Sequence, residues 1–239
     1  GEDAAAFATL LPQVQEAVLG ISHFFVENPR GARSWVAGCL KAQGYQGKLD
    51  AHFARIQFLR LPEAKGKHPN SDDLFWLEQF APLRQGQPMG LLSDAGLPAV
   101  ADAGAAAVAA AHRLGFQVVP LPGPSSLMLA LAASGLGGQQ FRFHGYLPRQ
   151  NAPRRKALQQ LERAAQGGET QLFIEAPYRN AQMLAAVRGA CRPETRLCIA
   201  LDLTLPSQEV HTLPVGEWDA AEVDVSKRPA VFLLGAPVR

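Results

Sequence analysis

Cysteine is scarce in this sequence. Cys39, Cys191 and Cys198 are the only three, at spacings that suit neither a disulfide framework nor a paired C-x-x-C metal knuckle, so a reducing cytoplasm is the simpler reading. Long apolar runs are missing as well: the longest, Ala99 to Ala111, is alanine-rich, broken by Asp102, and short of the ~18–20 residues that span a bilayer. No charged n-region followed by an apolar core opens the chain, so no secretory signal is read, and a soluble protein that stays inside the cell is expected. Neither sign of charge dominates. The 23 Lys and Arg against 21 Asp and Glu leave a net charge of +2, a balance that neither demands nor excludes a nucleic-acid partner. G-x-x-x-x-G-K-[ST], G-x-G-x-x-G after a strand, H-E-x-x-H and G-x-S-x-G are all absent. His23, His52, His68, His112, His144 and His211 are widely scattered. Nucleotide-phosphate, NAD and serine-hydrolase chemistry are therefore disfavoured, and no metal site is expected.

What is present is an ordinary globular composition, 47% hydrophobic over 239 residues, enough for one large domain or two small ones. Period and punctuation alternate between strand and helix, the pattern of an α/β protein. Helices are expected over Leu10–Leu19, Ala32–Ala42, Asp72–Phe80, Ala105–Leu114, Ser126–Ser134, Ala157–Ala165 and Ala181–Val187. Strands are expected at His23–Val26, Met89–Leu92, Gln117–Leu121, Phe141–Tyr146, Leu172–Glu175, Leu197–Leu203 and Ala230–Leu234. Gly115 reads as a C′ glycine and Ser125 or Ser126 as an N-cap. The texture changes across Gly135–Gln140, which divides the chain into an N-terminal lobe, 1–136, and a C-terminal lobe, 137–239. Parallel lobes usually begin on a strand, whereas Gly1-Glu2-Asp3 leads almost directly into helix, so a further first strand is expected ahead of this stretch.

Four loops carry polar chemistry. Ser93-Asp94-Ala95-Gly96-Leu97-Pro98 follows the Met89–Leu92 strand, and ligands of open parallel sheets sit at such carboxyl ends. Its glycine allows close backbone approach and its carboxylate accepts from amines or hydroxyls. The plainer reading is a turn with Asp94 as a cap. Pro122-Gly123-Pro124-Ser125-Ser126 reads as a rigid turn that opens a helix, whose free amides can grip a polar ligand; it too has a plain reading, an N-capped turn. Phe141-Arg142-Phe143-His144-Gly145-Tyr146-Leu147-Pro148 leads to a basic loop, Arg149 with Arg154, Arg155 and Lys156, where aromatics could stack bases beside phosphate contacts. The alternative is an ordinary strand with a solvated helix start. Phe173-Ile174-Glu175-Ala176-Pro177-Tyr178-Arg179-Asn180 sets a carboxylate at a strand end, either as part of a polar cluster or as a simple partner of Arg179.

Taken in order, SDAGLPAVADAG, VVPLPGPSSLMLALAASGL, FHGYLP and FIEAPYRN resemble the motifs of the tetrapyrrole methylase family, within it a branch that methylates a ribose 2′-oxygen of ribosomal RNA. The resemblance runs from about Met89 to Leu234. The stretch His23–Asn28 with Ala32-Arg33 is similar to relatives of that branch but departs from its own pattern. The family's first strand and P-x-x-x-G-type loop are not seen, with Gly1-Glu2 as their remnant. The resemblance implies a two-lobed α/β fold, S-adenosylmethionine (SAM) in the cleft between the lobes, and a homodimer. It places Asp94 and Leu97 at the methionine part of SAM, with Ser125 and Ser126 lining the same pocket, and Glu175, Ala176 and Ala200 closing over adenosine.

Methyl transfer from a sulfonium is an in-line displacement, in which the protein aligns donor and acceptor and excludes water. A hydroxyl acceptor benefits from a base, for which Asp94, His144 and Glu175 are unranked candidates. The acceptor stays open: ribosomal RNA, a tetrapyrrole or other small molecule, or none, if the chain only binds SAM or RNA.

Overall fold

The computed structural model describes residues 11–42, 44–45, 47–62, 73–94 and 96–236. The strand expected ahead of the chain's start, the helix starts at Leu10 and Asp72, and Ala95 of the SDAG loop lie outside those residues. Two compact units are formed, Gly1–Pro124 and Ser125–Arg239. Among the described residues, no helix is long and apolar enough to cross a membrane.

The first unit is built on a parallel sheet of β1 (His23–Val26), β2 (Gln57–Arg60) and β3 (Met89–Leu92) in the order β2-β1-β3. Its helices are α1 (Pro12–Leu19), α2 (Pro29–Ala42), α3 (Leu49–Phe53), α4 (Asp73–Gln79), α5 (Ala81–Arg84) and α6 (Ala105–Arg113). Central β1 is buried on both faces, which is why it reads as an unbroken apolar run. Phe24 and Val26 pack with Val36, Leu40 and Phe53 on one side; Phe25 packs with Trp76, Phe80 and Ala110 on the other. Helix α2 begins at Pro29, three residues before the expected Ala32, because Asn28 Oδ1 accepts from the Arg30 N–H at 3.0 Å and proline sits at the first helical position. Gly115 closes α6 as expected, with φ +77° and the Phe116 N–H reaching back to the Ala111 carbonyl at 2.9 Å.

The expected strand at Gln117–Leu121 does not form. Pro120, Pro122 and Pro124 fall on alternate residues, so one whole edge of an extended chain would lack N–H donors. Val118 still packs against the core, but Val119 and Leu121 are exposed. Apolar residues there mimic a strand that the backbone cannot pair.

The second unit holds α7 (Ser126–Ala133), β4 (Phe141–Tyr146), α8 (Asn151–Gln166), β5 (Thr170–Ile174), α9 (Asn180–Ala190), β6 (Arg196–Leu201), β7 (Glu209–Pro214) and β8 (Ala230–Gly235). Its sheet has the order β4-β5-β8-β6-β7 and is mixed: β4 and β5 run parallel, while β8 is antiparallel to both β5 and β6, and β7 to β6. Phe173, Ile199 and Phe232 face Leu158, Leu161, Met183 and Val187 of α8 and α9. On the opposite face, Leu127, Ala130 and Leu131 of α7 cover Leu172, Cys198, Val231 and Leu233. That packing draws α7 into the second unit, so the division falls at Pro124 rather than in the Gly135–Gln140 stretch. Helix α8 starts at Asn151, six residues ahead of the expected Ala157; Arg154, Arg155 and Lys156 thus lie on its first turns and not in a loop. Edge strands β2 and β7 went unread because neither is fully buried and neither alternates cleanly.

Candidate functional site

In the first unit the carboxyl ends of β1 and β3 lie side by side, since Val26 pairs with Leu92. The chain leaves both through acidic turns, Glu27-Asn28 and Ser93-Asp94. Asp94 Oδ1 lies 3.5 Å, and Asn28 Nδ2 3.4 Å, from the point where a β-carbon on Gly31 would stand. The Asp94 and Asn28 side chains thus both reach the first turn of α2. Glu27 Oε1 is buried with no hydrogen-bond partner among the described residues, and such an orphan calls for a ligand or an ordered water. Glu27, Asn28 and Gly31 were not named as site residues from the sequence, although Glu27 and Asn28 close the His23–Asn28 stretch that resembles relatives of the branch.

The 93–104 loop is held in a strained form. Ala99 and Ala101 have φ of 64° and 65°, a region that costs a non-glycine residue about 1–2 kcal/mol. It is held there by Ser93 Oγ donating to Asp102 Oδ2 at 2.8 Å, and by the Ala99 and Val100 N–H groups donating to the carbonyls of Ala103 and Leu97, each at 3.2 Å. Strain retained in a loop at the carboxyl edge of a parallel sheet is a mark of function. The same loop touches the proline turn: a β-carbon at Gly123 would lie 3.4 Å from Leu97 Cδ2, and one at Gly96 would lie 3.7 Å from the Pro124 carbonyl. Loops 93–98 and 122–124 thus converge, although no strand feeds the second. Asp94 is exposed and Leu97 half-buried.

In the second unit Ser125 caps α7, its Oγ accepting from the Met128 N–H at 3.5 Å; Ser125 is buried and Ser126 exposed. The carboxyl ends of β4, β5 and β6 share one edge of the mixed sheet, where Tyr146 pairs with Ile174 and Ala230 with Leu201. Glu175 stands on this edge with a side chain 1% exposed. Its Oε1 accepts from the Ala176 N–H at 2.7 Å and from the Arg179 guanidinium. Glu175 Oε2, Arg179 Nε and Asn180 Oδ1 are buried without partners among the described residues, while Asn180 Nδ2 donates to the carbonyls of Val225 and Arg228 at 3.1 and 2.6 Å. Glu175 thus pairs with Arg179, as the plainer sequence reading has it, and its other oxygen has no partner among the described residues.

His144 lies back along β4, next to a bulge at which Gly145 adopts φ +66°. Gln171 donates both its amide contacts to Glu169, so its oxygen faces His144 Nε2 at 2.7 Å and that ring nitrogen carries the proton. Ala200 is 1% exposed, with its methyl in the core and its backbone paired to both Val231 and Val210. The three thiols are buried. Burial pushes Cys39 and Cys198 up to about 11; burial and then the nearby Glu162 charge push Cys191 up to about 12.

The succession of a small parallel sheet and a larger mixed sheet belongs to a known class of fold. The chain is a member of the tetrapyrrole (corrin/porphyrin) methylase family, whose model matches residues 40–219. Among curated relatives it is 36% identical over 155 residues to ribosomal RNA small subunit methyltransferase I of Pseudomonas aeruginosa, covering 64% of this chain and 54% of that protein. To the protein of the same name from Synechocystis it is 39% identical over 160 residues, covering 67% and 54%. The chain thus spans about half the length of the curated relatives it matches. The solved structure of the cobalamin biosynthetic enzyme cobalt precorrin-4 methyltransferase, CbiF, shares the fold at a TM-score of 0.57 and 14% identity, over 95% of this chain and 89% of that one.

Proposed function

We propose that the protein is a cytoplasmic, homodimeric SAM-dependent methyltransferase that acts on ribosomal RNA of the small subunit, at a ribose 2′-oxygen. The single observation that carries this reading is the convergence of the 93–98 segment, which leads into the strained turn at Ala99 and Ala101, with the 122–124 turn beside the acidic carboxyl edge of β1 and β3, in a chain of this family. The residues fit the cofactor chemically. SAM is a sulfonium with an α-ammonium group and ribose hydroxyls, and Asp94 with the orphaned Glu27 Oε1 offers negative charge and acceptor capacity for such groups. Asp94 and Leu97 would hold its methionine part and Ser125 and Ser126 would line the same pocket, while Glu175 and Ala176 would stand on the adenosine side; Ala200, 1% exposed with its methyl in the core, has no side-chain surface to offer there.

When bound, SAM supplies a methyl group on a good leaving group, and the protein's task is alignment. The acceptor hydroxyl loses its proton as the new C–O bond forms. Exposed Asp94, His144 through Nδ1, and Glu175 through Oε2 are the groups able to receive it, and positioning supplies most of the rate. Calorimetry with SAM tests the first half of the reading: binding by the wild-type chain, weakened by Asp94→Ala, is expected, and no binding sinks it. Transfer of labelled methyl to total RNA from a strain lacking the protein, recovered in small-subunit RNA, tests the second half. SAM binding without that transfer would move the assignment to a small-molecule acceptor.

A further inference from the structure

The first turns of α8 and the face of α9 enclose an open groove of about 340 Å³ in the second unit, lined by Asn151, Arg154, Arg155, Gln182, Ala185, Ala186 and Gly189. Its chemistry is one-sided. From Phe141 to Leu161 the sequence has five cations, Arg142, Arg149, Arg154, Arg155 and Lys156, and no Asp or Glu, and Asn180–Ala190 has none either. Arg154 is only 4% exposed and is steadied by Nη2 donating to Asn151 Oδ1 at 2.7 Å. Arg149, Arg155 and Lys156 are exposed and have no acidic partner among the described residues. Glu162, further along α8, is turned away to the Arg192 N–H and the Thr195 hydroxyl. The groove carries no large apolar side chain, only alanine methyls and a bare glycine, which argues against an apolar peptide or a lipid chain. Guanidinium forks and amide donors over a small-residue floor suit a phosphodiester backbone. Tyr178, 71% exposed, lies in the turn that leads into α9, with the Arg179 guanidinium 5.8 Å from its ring centroid, and offers an aromatic surface on which a base can stack.

We infer that the α8–α9 groove grips single-stranded RNA, with Arg154 and Arg155 on its phosphates. This rests on the ribosomal RNA reading above and adds to it a surface of the second unit that holds the RNA. Two variants test it. Arg155→Glu reverses an exposed charge. Gly189→Glu places an anion in the opposite wall, where an added β-carbon meets nothing within 4 Å, and it raises helix propensity. Each is expected to weaken binding of a fluorescently labelled, mixed-sequence oligoribonucleotide about tenfold in anisotropy. For Arg155→Glu, the slope of log affinity against log salt should fall by about 0.7, the share of one phosphate contact on a single strand. Circular dichroism melts and calorimetry with SAM should match wild type. Variants that bind the oligonucleotide like a wild type that does methylate ribosomal RNA overturn the groove and leave the function standing. A wild type that binds SAM yet transfers no methyl to RNA overturns the function, and the groove with it.

Discussion

Replacing Glu175 by alanine should destabilise the second unit by about 3 kcal/mol, and the structure says why the number is not smaller. The carboxylate is 1% exposed and its partner Arg179 only 15% exposed, so neither charge is well served by water. Surface pairs contribute ~0–1 kcal/mol, whereas removing one member of a buried pair costs about 3–5 kcal/mol, because the other is left as an uncompensated charge. The partial exposure of Arg179, and its guanidinium lying 5.8 Å from the Tyr178 ring centroid, point to the low end. For a chain of this size the change corresponds to a melting shift of about 6–12 °C. Arg179→Ala strands the more deeply buried partner and should cost somewhat more, about 3–4 kcal/mol. In the double variant both charges are gone, so its loss should fall short of the summed single losses by about 2–3 kcal/mol. Urea unfolding followed by tryptophan fluorescence yields all three values. Single losses under about 1 kcal/mol, or additivity within about 0.5 kcal/mol, would refute the buried-pair account and make Glu175 a free acid at the sheet edge.

Two further outcomes follow from the same geometry. Because the thiolate is the nucleophile and burial holds the three thiols at about 11 to 12, a chromogenic disulfide reagent at pH 8 should label the folded protein very slowly and take up three equivalents on denaturation; rapid native labelling would contradict the burial. Ala99→Gly with Ala101→Gly removes left-handed strain worth about 1–2 kcal/mol per residue, partly offset by about 0.5–1 kcal/mol of glycine entropy each. Melting should be unchanged or slightly raised while SAM affinity falls in calorimetry as the loop loosens, and equal affinity would show that the strain does not shape the site.

Local chemistry was enough to read much of this molecule from its residues. The bounds of β1 and β3, the Gly115 cap and the Ser125 cap depend on side-chain periodicity and on groups within a few residues of each other, and all are present in the structure. The SDAG loop could be placed after an apolar strand on the same grounds, although that strand is only half-buried. What depends on distant partners could not be read. Whether an apolar stretch becomes a strand depends on an available edge with matching donors, which 117–121 lacks. Edge strands β2 and β7 gain their structure from a neighbour and not from their own pattern. The assignment of α7 to the second unit, the contact of the 93–98 loop with the proline turn, the orphaned Glu27 oxygen and the α8–α9 groove all join residues far apart in the chain. Periodicity records which side of an element is buried; only the tertiary structure decides what stands on the other side of that contact.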